Sequence, residues 1–99
     1  MTMNIRFIVP AGKELDDAYE WYERQVHGLG VEFLDEIDQV VHRIKMFPES
    51  FSVLTGELRR ARLVRFPYGL IYGVDGDLIV IIAVAHLHRE PFYWIDRID

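Results

Sequence analysis

Cysteine is absent from the 99-residue chain, so disulfides and thiolate metal sites are closed to it and packing must hold the fold. Long apolar runs are missing too. Nowhere do about 18 apolar residues stand together, and Met1 to Pro10 carries no apolar run behind a basic flank, so neither a membrane span nor a secretory signal is read. A cytoplasmic protein without a membrane partner is expected. Basic residues are the minority, 11 Lys and Arg against 16 Asp and Glu for a net charge of -5, which argues against a uniformly nucleic-acid-binding surface. Repeats, low-complexity tracts and linkers are lacking, so residues 1–99 are expected to form one domain. The glycines build no phosphate cradle, and there is no nucleophile elbow, Walker signature or paired-carboxylate pattern; no cofactor is implied.

Hydrophobic residues make up 51% and aromatics 13%, enough for a packed core. A chain of this size buries only about 60–65% of the surface its unfolded form exposes, so modest stability and dependence on a bound partner are expected. The charge is unevenly spread. Gly12 to Phe47 holds Glu14, Asp16, Asp17, Glu20, Glu23, Glu32, Asp35, Glu36 and Asp38 against Lys13, Arg24, Arg43 and Lys45, whereas Leu58 to Val74 holds Arg59, Arg60, Arg62 and Arg65 and no acid before Asp75. An acidic helical side and a locally basic strand side follow.

Met3 to Val9 alternates Ile5, Phe7 and Val9 with Asn4, Arg6 and Ile8, and Pro10 removes a backbone donor, which predicts a short first strand that stops there. From Ala11 to His27 the spacing of Leu15, Ala18, Tyr19, Tyr22 and Val26 predicts a helix, with Glu14, Asp16 and Asp17 near its start complementing the macrodipole. Gly28 and Gly30 break the pattern; Phe33, Leu34, Ile37, Val40, Val41, Ile44 and Phe47 resume it up to Pro48. Glu49 to Glu57 has no period and reads as an exposed loop. Leu58 to Phe66, Tyr68 to Val74 and Leu78 to Ala85 then read as three strands, the last two joined through Asp75-Gly76, and the continuously apolar Leu78 to Ala85 is expected mid-sheet, buried on both faces. The expected architecture is α+β in the order βααβββ: a two-helix hairpin on one face of a small twisted antiparallel sheet, with a short C-terminal tail from His86 and the other face open for function.

Arg60 and Arg62 stand two apart on a strand and share a face, while Arg59 and Arg65 project from the opposite one. Two guanidiniums on one face can clamp phosphate or a partner's carboxylates; the alternative is an edge guarded by charge, or surface pairs with Glu57 and Glu90. His86, His88 and Arg89 follow the buried strand at its rim, where a histidine could serve as acid or base in phosphodiester cleavage or simply cap the sheet. No third ligand stands at a telling spacing, so no metal site is read. Phe92, Tyr93 and Trp94 either pin the tail to the core or offer a stacking surface; docking suits Trp94, and Tyr93 has a hydroxyl to offer. Trp21 lies about 120° from the centre of the helix-one core stripe at about 100° per residue, so it is expected to be partly exposed, as an interface anchor or against helix two. The helical acids read as solvated faces.

The run Glu14-Leu15-Asp16-Asp17-Ala18-Tyr19-Glu20-Trp21-Tyr22-Glu23, then Gly28-Leu29-Gly30 with Phe33-Leu34, Phe47-Pro48, Arg59-Arg60, Phe66-Pro67-Tyr68, Ile71-Tyr72, and Ala83-Val84-Ala85-His86 before Arg89 and Pro91, resembles the RelE/ParE-type toxins, also called plasmid-stabilisation proteins. The likeness spans nearly the whole chain. It implies a growth-inhibiting toxin of a type II toxin–antitoxin system, held inactive by a cognate antitoxin. RelE-like members cut messenger RNA on the ribosome with basic strand residues and a tyrosine or histidine; ParE-like members inhibit DNA gyrase and need no hydrolytic site.

Against the RelE pattern, Arg60 and Arg62 match a basic pair on the second strand, and Arg89 and Tyr93 fall near its later arginine and tyrosine. The arginine expected after the third-strand tyrosine falls on Gly69, which removes a charge that cleavage would want. The resemblance therefore implies a gyrase-binding toxin with Arg59, Arg60, Arg62, Arg65, Trp21, Arg89, Tyr93 and Trp94 as contact residues. The alternatives are a ribosome-dependent mRNA endonuclease using Arg60, Arg62, His86, Arg89 and Tyr93, or a non-toxic binding module. In each case the antitoxin is expected to cover the arginine strand.

Overall fold

The computed structural model describes residues 3–98. The chain runs β1 (Asn4–Phe7), α1 (Val9–Gln25), α2 (Leu29–Met46), β2 (Ser52–Thr55), β3 (Leu58–Arg62), β4 (Tyr68–Asp75) and β5 (Leu78–His86), and ends in a tail with one 3-10 turn, Ile95–Arg97. The strands form one sheet in the order β1-β5-β4-β3-β2. The α+β class, the helical hairpin and the tail are as the periodicity predicts; the sheet differs in two respects. It is mixed, because β1 pairs with β5 in parallel, Asn4 to Phe7 opposite Leu78 to Ile81. It also has one strand more: β2 lies within the stretch read as a loop and pairs antiparallel with β3 through a register shift between Val53 and Thr55. A strand of four residues at a sheet edge, with Val53 exposed, has no alternation to betray it.

Pro10 does not end β1 but starts α1. It occupies the first turn, where a missing N–H is no loss and a fixed φ suits the helix, so the helix begins at Val9 and its first turn holds no acid. The macrodipole role expected of Glu14, Asp16 and Asp17 therefore does not apply. Between the helices Gly28 sits at φ 89°, and the Glu23 carboxylate accepts from the N–H of Gly28 at 2.8 Å and of Gly30 at 2.9 Å, capping α2. A Cβ on Gly30 would lie 2.7 Å from the Tyr19 carbonyl oxygen, so only glycine lets the helices meet there.

Both sheet faces are buried. The helix-side core joins Ala18, Phe33, Ile37, Val40 and Ile44 to Ala61, Leu70, Tyr72, Ile79, Ile81 and Val84. On the other face Leu58, Ile71, Ile82, Ala83 and Ala85 pack around Trp94 from the tail. The tail thus closes part of the face expected to stand open. Interior β5 is buried on both sides, as its unbroken apolar run predicts. Along it the alternation slips once, at Ile82, where Ile71 opposes Ala83 but Tyr72 opposes Ile81. The β4–β5 turn puts Gly76 at its first central position with φ 62°, the left-handed backbone that a two-residue hairpin turn demands there.

Candidate functional site

Arg59 lies on the face opposite Arg60 and Arg62 as the strand spacing predicts, but β3 ends at Arg62 and not at Phe66, so Arg65 stands in the connection beyond the strand. Arg59 faces the helix side and donates to the carbonyls of Glu49 at 3.0 Å and Phe51 at 2.7 Å, pinning the α2–β2 connection. Arg65 pairs with Glu32, which raises its guanidinium pKa. Both are spoken for by the fold. Arg60 and Arg62 stand on the opposite face, and among the described residues neither has an ion pair or a hydrogen bond to a protein group. Arg62 is opposite Gly69 in the register, and a Cβ at Gly69 would come within 3.2 Å of the Arg60 Cγ. The bare glycine therefore makes room for the Arg60 stem, which lines a cavity of about 120 Å³ together with His86, Arg89, Tyr93 and Trp94.

The remaining candidates lie in and around the tail. Trp94 is 3% exposed and belongs to the core, so its ring is not a contact surface. The Tyr93 hydroxyl donates to Glu14 Oε2 at 2.6 Å, and its ring lies under the Arg89 guanidinium at 3.7 Å with Arg97 at 5.2 Å. Burial, and then the hydrogen bond to Glu14, push the Tyr93 pKa well above its ordinary value. It is held as a neutral donor and is a poor base. Arg89 pairs with Glu14 at 3.5 Å. The His86 Nδ1 accepts from the His88 N–H at 3.1 Å, which assigns the neutral-ring proton to Nε2, and the ring packs edge-on to Tyr68 with centroids 5.0 Å apart. No trio of metal-ligating side chains exists among the described residues. Arg60, His86, Arg89 and Tyr93 line one cavity, with Arg62 on the same face at the strand end, but Tyr93 and Arg89 are engaged in holding the tail.

Two residues central to this arrangement are absent from the candidates read in the sequence. Glu14, with a side chain 14% exposed, accepts from the Val84 N–H at 3.0 Å, the Tyr93 hydroxyl, and Arg97 Nη1 and Nη2 at 2.9 and 3.1 Å; Arg97 also donates to the Ile82 carbonyl at 3.1 Å. The pair joins α1, β5 and the tail. Glu36 is likewise no solvated acid: it is 6% exposed and accepts from the N–H groups of Val64 and Arg65, closing the β3–β4 connection. The available signal is position. Glu14 lies one turn before Ala18 on the core stripe, and Glu36 lies between Phe33 and Val40, so each carboxylate interrupts an apolar stripe instead of sitting opposite it. Nothing local marks Arg97.

Trp21, 53% exposed, borders a groove of about 540 Å³ between α1 and the end of β5, walled also by Ala18, Tyr22, Tyr68, Val84 and His86.

A family model described as the ParE toxin of the type II toxin-antitoxin system, parDE, matches residues 5–91. Among solved structures, a chain described as "Chromosomal ParDE TA system from P. aeruginosa" superposes with a TM-score of 0.69 at 18% sequence identity, over 87% of this chain and 97% of that one. At that identity the likeness is one of fold. No curated protein sequence matches.

Proposed function

Because this chain belongs to the ParE toxin family of type II toxin–antitoxin systems, we propose that it is a growth-inhibiting toxin that acts by binding DNA gyrase and is neutralised by a cognate antitoxin. The observation that favours the binding mode is the engagement of Tyr93 and Arg89 by Glu14, which leaves His86 as the one candidate acid or base lining the cavity of the unpaired Arg60, without the tyrosine and arginine that cleavage would use with it. A phosphodiester cleaver would need such a group within hydrogen-bond reach of its substrate. A binder needs only a shaped, charged surface, and Arg60 and Arg62 supply it without internal neutralisation. The antitoxin covers the same face, shielding these guanidiniums with carboxylates of its own.

A supercoiling assay with purified gyrase tests the reading. Wild-type protein is expected to inhibit at micromolar concentration, and the Arg60→Glu/Arg62→Glu variant to lose at least about tenfold in potency, a change of about 1.4 kcal/mol, with an unchanged circular dichroism spectrum. Codon-position cuts in translated messages after induction, with gyrase unaffected, would replace this reading by the endoribonuclease one.

A further inference from the structure

The cavity between the tail and the sheet has an apolar floor made by the buried side chains of Ile71, Ala85 and Trp94. Its polar wall carries His86 and the partly buried Arg60, which has no ion pair among the described residues. Phe92 stands at the rim, 44% exposed, with a backbone φ of 61°. The Tyr93 N–H donates to the Glu90 carbonyl at 3.4 Å, so Pro91 and Phe92 are the central residues of a turn. Phe92 takes the left-handed place that such a turn gives to glycine or asparagine, and a bulky residue is strained there. The fold recovers little for that strain, since the ring is nearly half exposed and meets Trp94 with centroids 5.5 Å apart. Strained residues gather where a ligand is clamped, and this one holds an aromatic ring at the lip of a cavity.

We propose that this cavity binds a small apolar monocarboxylate, its single ring or branched chain on the Ile71–Ala85–Trp94 floor beneath Phe92 and its carboxylate on the Arg60 guanidinium. Size sets the apolar part. The volume of about 120 Å³ is close to the roughly 150 Å³ that holds a benzene ring, so a nucleotide or a helix does not enter. Arg60 sets the charge, because a guanidinium without an acceptor of its own takes a carboxylate through two parallel hydrogen bonds. His86, with its ring proton on Nε2, is a second donor on the same wall. One negative charge suits the site better than two. Glu90 lines the same cavity, and it would repel a phosphate dianion twice as strongly as a monoanion. Gly69 belongs to the site as well, since a side chain there would crowd the Arg60 stem that forms the wall. The same chemistry is offered by a free acid and by the last residue of a protein chain. The proposal holds whichever target the toxin engages.

The test is a titration of the isotope-labelled full chain with phenylacetate and, in a second arm, with N-acetyl-glycyl-phenylalanine, followed by chemical shifts. Saturable shifts are expected at Ile71 and Ala85 and at the Trp94 indole. Phenylacetate acting alone or more tightly assigns the site to a free acid, and the peptide acting more tightly assigns it to a chain end. Phenylacetamide, which lacks the charge, is expected not to bind, and phenyl phosphate to bind more weakly than phenylacetate. Arg60→Gln is expected to weaken binding at least about tenfold, the loss of one charge-assisted contact. Phe92→Gly is expected to weaken it about threefold to tenfold while keeping the wild-type Tm, because glycine relieves the strained turn as it removes the ring. Absence of shifts with both probes at millimolar concentration, shifts confined to the groove at Trp21 and Tyr22, undiminished binding to Arg60→Gln, or a Phe92→Gly variant that binds like wild type or melts well below it would each overturn the proposal.

Discussion

Replacing Glu14 by alanine removes one carboxylate and leaves three groups without their acceptor. The Val84 N–H and the Tyr93 hydroxyl lose a partner, and Arg97, 19% exposed at its side chain, keeps the Ile82 carbonyl as its one hydrogen-bond acceptor among the described residues. An unmade hydrogen bond at a buried donor costs about 1–3 kcal/mol, and removing one member of a buried ion pair about 3–5 kcal/mol. These penalties overlap, since the hydroxyl and the guanidinium can turn toward water that enters. Arg89 adds little, being half-exposed. A loss of about 3 kcal/mol is therefore expected for Glu14→Ala, and about half that for Glu14→Gln, which keeps an acceptor but not the charge. In a domain of this size 1 kcal/mol shifts Tm by about 4–8 °C, so the alanine variant should melt roughly 12–24 °C below wild type. Urea unfolding of Glu14→Gln, Arg97→Met and the double variant gives the coupling, expected at about 1–2 kcal/mol. A Glu14→Ala variant within about 0.5 kcal/mol of wild type, the range of ordinary surface substitutions, would refute the claim that this carboxylate binds α1, β5 and the tail together.

Gly30→Ala is expected to lower stability by about 2 kcal/mol despite alanine's better helix propensity, because the new Cβ meets the Tyr19 carbonyl at 2.7 Å and the helices must part; thermal melting reads it, and a Tm at or above wild type contradicts it. Alkaline pH should destabilise the fold. Burial raises the pKa of Tyr22, Tyr68, Tyr72 and Tyr93 above the ordinary value of about 10. A raised folded-state pKa contributes stability that is whole below the unfolded value and lost as pH climbs through the folded one, so the decline belongs above about pH 10. Tyr93→Phe should be less stable at neutral pH yet decline less steeply there, by denaturant titration across the alkaline range; an equally steep decline would remove Tyr93 from the account.

What the sequence reveals and what it hides divides along the range of the interaction. The helices show in Leu15, Ala18 and Tyr22 and in Phe33, Ile37, Val40 and Ile44, because a period of 3.6 is written in neighbours, and the exposure of Trp21 follows from the same angle count. β5 shows in its unbroken apolar run. β2 stays hidden because its stability comes from pairing with β3 and not from any pattern of its own. Pro10 misleads because proline ends a strand and begins a helix with equal readiness, and only β1's parallel seat on β5 decides where the strand stops. Glu14 and Arg97 are 83 residues apart and Glu14 and Val84 are 70, so their meeting is a property of the closed fold. The resemblance, and no local pattern, groups Arg89 and Tyr93 with Arg60, and it does not reveal that Glu14 holds them.

The net charge of -5 and a locally basic face are compatible because the fold distributes its acids unevenly. Glu14, Glu23 and Glu36 are turned inward on backbone N–H groups and, for Glu14, on Arg97 and Arg89; Glu32 holds Arg65. Each such carboxylate is consumed locally, and its field reaches little beyond the groups it binds. Arg60 and Arg62 receive none of them. A partner approaching that face meets guanidiniums that no carboxylate among the described residues holds in an ion pair, with Glu90 the acid lining the same cavity as Arg60. The average composition would send an anionic partner away; the arrangement of hydrogen bonds inside the protein is what leaves one side of the sheet able to receive it.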